Sequence, residues 1–125
     1  MVDKLTFKTT LKEIPVEIDG KSCVLRELDG HQKGTYLNSM RKRIKLNSKG
    51  DIESFVDYSG LESTLLSRCL YDEDGKLIPA SVMDGAEGRN GWPSSMLSAL
   101  FTAAQELSAL TEESRKEQEA EAKNS

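Results

Sequence analysis

The chain has 125 residues, 37% of them hydrophobic and 30% charged, and a formal net charge of −4. That length suits one domain with a modest core. An acidic chain without interleaved aromatic and basic residues is a poor candidate for binding nucleic acid. One His and two scattered Cys do not make a transition-metal site. No signal peptide or lipidation motif opens the chain, and the apolar run after Trp92 is too short to span a membrane. Cys23 and Cys69 are isolated thiols, read as buried small apolar residues, although the sequence leaves a disulfide between them open.

Residues 1–13 are polar, with Leu5, Phe7 and Leu11 in partial alternation, and are expected to form an arm or an extra strand. From Ile14 to Arg26 two short alternating runs flank Asp19–Gly20, a strong hairpin signal because both turn residues need positive φ. A two-residue turn sets Val16 opposite Cys23 and Ile14 opposite Leu25, on one apolar face with Ile18. Pro15 lacks a ladder donor, which assigns the first strand to an edge. Asp29 and Gln32 have the spacing of a capping box. The helix they open is expected to carry Tyr36, Leu37, Met40 and Ile44 on one face. Arg41, Lys42, Arg43 and Lys45 would then sit in its last turns, favourably for the helix dipole.

Asn47 to Gly50 reads as a loop. A second helical stretch is expected to open at Ile52, Phe55 and Val56, break at Ser59–Gly60, and continue through Leu61, Leu65, Leu66, Cys69 and Leu70. Tyr71 to Lys76 reads as a turn and Leu77 to Pro79 as a brief extended piece. Residues 80–91, with Gly85, Gly88 and Gly91, read as a mobile connection with room for one helical turn.

The stretch from Trp92 to Leu110 organises the rest. Met96, Leu97, Leu100, Phe101, Ala104 and Leu107 recur at helical spacing, and Glu106 is the only charge between Gly91 and Thr111. A helix this poor in charge is expected to be buried on more than one side, by the domain or by a partner. Phe101 reads as core; Trp92 suits core and interface anchor equally. Residues 112–125 have no apolar face and are expected to form a frayed or disordered acidic tail.

Charge is unevenly distributed. Residues 30–50 carry six bases and no acid, and residues 51–87 carry nine acids against Arg68 and Lys76. The two segments face each other or are solvated; the sharper alternative is a basic patch for an acidic partner. Asp72–Glu73–Asp74–Gly75 has the flavour of a calcium loop. In that register, however, Leu70 and Ser81 would fill the first and last ligand positions, so it reads as a turn. His31 has no catalytic companion and is expected to be exposed. No phosphate-cradling loop, nucleophile elbow or zinc signature is present. These observations leave no catalytic residue to assign, no cofactor, and a non-enzymatic role as the expectation.

Three stretches then carry a resemblance. The hairpin ending Val24-Leu25-Arg26-Glu27-Leu28 leads into a basic-ended helix. Leu65-Leu66-Ser67-Arg68-Cys69-Leu70-Tyr71-Asp72-Glu73-Asp74-Gly75-Lys76 follows. A helix opened by Trp92–Pro93 then ends in Glu106-Leu107-Ser108-Ala109-Leu110. Over about Ile14 to Leu110 the chain resembles the tail assembly chaperones of lambda-type, long, non-contractile-tailed bacteriophages.

The resemblance implies a small, mainly helical protein of the host cytoplasm, absent from the mature virion. It would keep the tape measure protein soluble until tail tube subunits polymerise around it, self-associating along this client. It also implies a longer form, made by a backward frameshift of one nucleotide, that recruits the tail tube protein. Ala122-Lys123-Asn124 is compatible with a slippery heptamer if its codons are GCA-AAA-AAC.

The expected architecture is α+β: an arm over 1–13, one domain over 14–111 with a hairpin packed on three to five helices, and a charged tail over 112–125. The expected partner-binding residues are Arg41, Lys42, Arg43, Lys45, Trp92, Met96 and Leu100. The alternatives are a minor structural tail or head–tail protein of the virion, and a small regulatory or inhibitor protein that uses the basic segment against an acidic partner.

Overall fold

The computed structural model describes residues 4–41, 44–46, 48–49, 52–55, 60–86 and 88–110. Lys42, Arg43, Val56, the expected tail over 112–125 and the Ala122-Lys123-Asn124 site lie outside the described residues. The fold is α+β, with a hairpin-based sheet packed against helices. Residues 4–12 have no regular secondary structure.

Strands β1 (Glu13–Ile18) and β2 (Lys21–Arg26) form the expected hairpin, with Val16 opposite Cys23 and Ile14 opposite Leu25. Asp19 and Gly20 take φ of 52° and 78°, the two positive values that such a tight turn needs. Strand β5 (Leu70–Tyr71) pairs with the other side of β2, so the sheet order is β1-β2-β5 and β1 is an edge. In a two-residue hairpin the closing pair, Ile18 and Lys21, exchanges hydrogen bonds. Alternate residues of β1 then turn outward. Pro15 is one of them, so its missing N–H removes nothing from the ladder.

Helix α1 (Gly30–Met40) starts at the expected capping box: the Gln32 N–H donates to Asp29 Oδ1 at 2.8 Å, and the Asp29 N–H to Gln32 Oε1 at 3.0 Å. It ends earlier than expected. Ile44 and Lys45 belong to β3 (Ile44–Leu46), not to the helix, and Leu37 is exposed. Ile52 and Phe55 belong to β4 (Ile52–Phe55), which pairs antiparallel with β3 around a bulge. Apolar and polar residues alternate in Ile44-Lys45-Leu46, and β-branched Ile44 and Ile52 favour strands. The four-residue interval from Met40 to Ile44 imitates a helical repeat where a hairpin forms.

Gly60, in the left-handed region at φ 63°, starts helix α2 (Leu61–Leu66); the expected helical stretch from Ile52 to a break at this point is replaced by strand β4. The helix is shorter than expected: Cys69 follows its end and Leu70 is in β5. Long-range pairing decides this. The Arg26 N–H donates to the Cys69 carbonyl at 2.9 Å, and the Ile78 N–H to the Leu70 carbonyl at 3.0 Å. The expected turn follows, with Asp72 Oδ1 accepting from the Asp74 and Lys76 backbone N–H groups and Gly75 at φ 78°.

Helix α3 (Ala80–Asp84) supplies the single helical turn and leads through Gly91 to helix α4 (Ser94–Leu107). The core gathers Leu25, Leu65, Leu66, Leu70 and Met83, all fully buried, with Tyr36, Met40, Cys69 and Ala104 around them. Helix α4 packs on α2 and β2. Near its C-terminal end Ser108 Oγ accepts the buried Leu28 N–H at 2.8 Å, which ties the chain after α4 to the segment between β2 and α1.

The link between α3 and α4 is tight. The Trp92 N–H donates to the Met83 carbonyl at 2.8 Å. A Cβ on Gly91 would collide with the Met83 carbonyl oxygen and lie 2.7 Å from the Asp84 carbonyl carbon. Gly91→Ala is therefore expected to cost about 1–3 kcal/mol of stability. Gly34→Ala, in α1 with no atom within 4 Å of its new methyl, is expected to gain about 0.5–1 kcal/mol. Urea unfolding of the two variants checks both signs.

Candidate interaction site

The apolar repeat of α4 is not enclosed by the described residues. Ala104 alone in the helix is fully buried. Met96, Leu97, Leu100, Phe101, Ala103 and Leu107 are half-buried, and Ser95, Ser98, Ala99 and Thr102 are exposed. Of the two expected ways of burying this helix, wrapping by the domain is not seen among the described residues. The described core is only as wide as a three-stranded sheet with α1, α2 and α3 packed on it, too little apolar surface to cover both sides of α4.

What remains is a groove of about 420 Å³ where β1 meets the start of α4, lined by Val16, Ile18, Trp92, Met96, Ala99 and Leu100, with Glu17 and Asp19 at its rim. Trp92 is half-buried: it packs against the core cluster and faces this groove. It also lines a neighbouring cavity of about 400 Å³ with Asp72, Glu73 and Asp74. Trp92 is thus partly core, and it also lines open space on the surface. The surround is acidic, with five carboxylates from Glu17, Asp19, Asp72, Glu73 and Asp74 against Lys21.

The expected partner-binding residues divide. Trp92, Met96 and Leu100 come together in the groove. Arg41 is exposed at the end of α1, which packs on α2, and Lys45 lies in β3. Arg41 and Lys45 are thus divided between a helix end and a strand, and Lys42 and Arg43 lie outside the described residues. Sequence reasoning missed Val16 and Ile18 as groove walls and the acidic rim. Their register was legible, but their juxtaposition with α4 depends on the Gly91 crossing.

Among the described residues no group of three or more His, Cys, Asp or Glu is placed to hold a metal ion. No described helix is long and apolar enough to cross a membrane. His31 is exposed. The chain matches no protein-family model, no curated protein and no solved structure.

Cys23 and Cys69 are free and buried. Burial pushes the Cys69 thiol up to about 12. Cys23 is also raised, first by burial and then by the Asp72 and Glu73 carboxylates. The sign follows from linkage. The unfolded chain releases the Cys69 proton at the ordinary thiol value, whereas the folded chain holds it. Stability is therefore full below that value and falls as pH rises towards about 12, by up to about 1.4 kcal/mol per pH unit for this one group. Urea titrations across the alkaline range should show a shallower fall in Cys69→Ala than in the natural chain.

Proposed function

We propose that the protein is a non-catalytic tail assembly chaperone of the lambda type. It binds the tape measure protein in the host cytoplasm and is left out of the finished virion. The observation that carries this reading is the half-open apolar face of α4, where Trp92, Met96 and Leu100 meet Val16 and Ile18 in a groove. A groove of this kind accepts the apolar side chains of an amphipathic helix. An extended helical client offers such side chains at every turn until its tube encloses it. Exposed Arg41 adds a positive point outside the groove, suited to acidic stretches of the client. The tail tube protein joins through the longer, frameshifted form.

Co-expression with the tape measure protein of the same genome tests the proposal. The client is expected to become soluble and to co-purify. Met96→Asp places a charge in the groove and is expected to lower client recovery on the order of tenfold, while Arg41→Glu has the smaller effect. A client that stays insoluble and does not co-purify removes the reading. Loss of binding in Arg41→Glu with full binding in Met96→Asp would favour the inhibitor alternative.

A further inference from the structure

The arm that precedes β1 exposes the type of surface that the groove lacks. Phe7 is 73% exposed and Leu5 47% exposed, on a segment with no regular secondary structure. A large aromatic left in water forgoes much of the stabilisation that burial would bring. Residues 4–12 carry Lys4, Lys8 and Lys12 and no acid. The groove is apolar with Glu17 and Asp19 at its rim, and Asp72, Glu73 and Asp74 lie in the adjoining cavity. Apolar side chains flanked by lysines therefore face their complement: an apolar floor flanked by carboxylates.

We infer that the groove takes the Leu5–Phe7 segment of a second copy of this chain. In an extended segment Leu5 and Phe7 point to the same side, so both enter the groove together between Val16, Ile18 and the Trp92–Met96–Leu100 stripe. Lys4 and Lys8 project from the other side, and their long stems reach over to the acidic rim.

The donor is a second copy because the chain's own arm is anchored at the opposite end of the hairpin and leaves the groove open. The Glu27 N–H donates to the Lys12 carbonyl at 2.9 Å, and the Lys12 N–H to Glu27 Oε1 at 2.8 Å. These bonds hold the base of the arm at the Arg26 end of the hairpin, whereas the groove lies at the Asp19–Gly20 end, and Leu5 and Phe7 are exposed and absent from its lining. The inference concerns the protein alone and holds whatever client the groove serves. Arm and client cannot fill one groove at once, so self-association of this kind competes with client capture, unlike the expected self-association along the client.

Sedimentation of the full chain over a concentration series tests this directly. The natural chain is expected to self-associate reversibly, less so at high salt as the lysine–carboxylate attraction is screened. The double variant Leu5→Ser/Phe7→Ser, altered only at exposed positions, is expected to weaken association about tenfold or more. Met96→Glu, in the groove, should do the same. The decisive measurement mixes these two variants: each associates poorly alone, but one keeps its groove and the other its arm, so the mixture is expected to form a heterodimer. Trp92, the single tryptophan, reports filling of the groove by a change in its emission. A chain that is monomeric throughout, an arm variant that associates like the natural chain, or a mixture that fails to complement overturns the inference. A monomer whose Trp92 emission changes on arm substitution also overturns it, by placing the chain's own arm in the groove.

Discussion

The close passage of Gly91 over the Met83 and Asp84 carbonyls governs this structure more than any single side chain. It brings the end of α3 and the approach to α4 within backbone contact, which a side chain at 91 would prevent. The Trp92 N–H to Met83 carbonyl bond then fixes where α4 begins, and Met83 itself is fully buried among Leu65, Leu66 and Leu70. The start of α4 is thereby referred to the core through the backbone as well as through its own side chains. Of those side chains, Trp92, Met96 and Leu100 are only half-buried and form one wall of a groove. The Ser63 hydroxyl strengthens the same joint by donating to the Asp84 carboxylate at 2.6 Å, tying α2 to the end of α3.

A second anchor holds the far end. The buried Leu28 N–H has no partner in the sheet and is satisfied by Ser108 Oγ, just after α4. An unsatisfied buried N–H would cost about 1–3 kcal/mol, so this bond favours one position of the helix over a slide along the hairpin. With both ends pinned by polar contacts, the middle of α4 does not need full enclosure to stay in place. That explains how a helix with one charge between Gly91 and Thr111 is held against the sheet while most of its apolar residues remain only half-covered.

Local chemistry was legible in the sequence wherever a few neighbouring residues decide the conformation. Asp19–Gly20 set the hairpin register, Asp29 and Gln32 set the start of α1, and Asp72 with Gly75 set the turn before Leu77. The failures all lie where two periodicities coincide or a distant strand intervenes. Met40 and Ile44 stand four apart, as a helix requires, yet Ile44 begins a strand. Leu66, Cys69 and Leu70 continue a helical spacing, but the Arg26 N–H captures the Cys69 carbonyl and draws Leu70 into the sheet. For the site, the apolar wall from α4 was readable as a stripe. Its opposite wall was not, because nothing near Val16 and Ile18 in the chain announces that Trp92 will lie beside them.

The free edge of β1 bears on what kind of recognition this end of the molecule supports. An exposed edge strand is an open template for another chain. Outward-facing positions on β1 are Glu13, Pro15 and Glu17, by the alternation that the two-residue turn imposes. Pro15 offers no donor there, and the Glu13 carboxylate is engaged by Arg26 at 2.8 Å. Glu17 adds charge beside the groove. A fourth strand would therefore meet an interrupted ladder between two acidic side chains, which disfavours open-ended sheet growth. The side-chain groove next to that edge has no such interruption. A partner at this end would thus be selected less by backbone pairing, which accepts almost any extended chain, than by the shape and charge of the side chains that fit between Ile18 and Trp92.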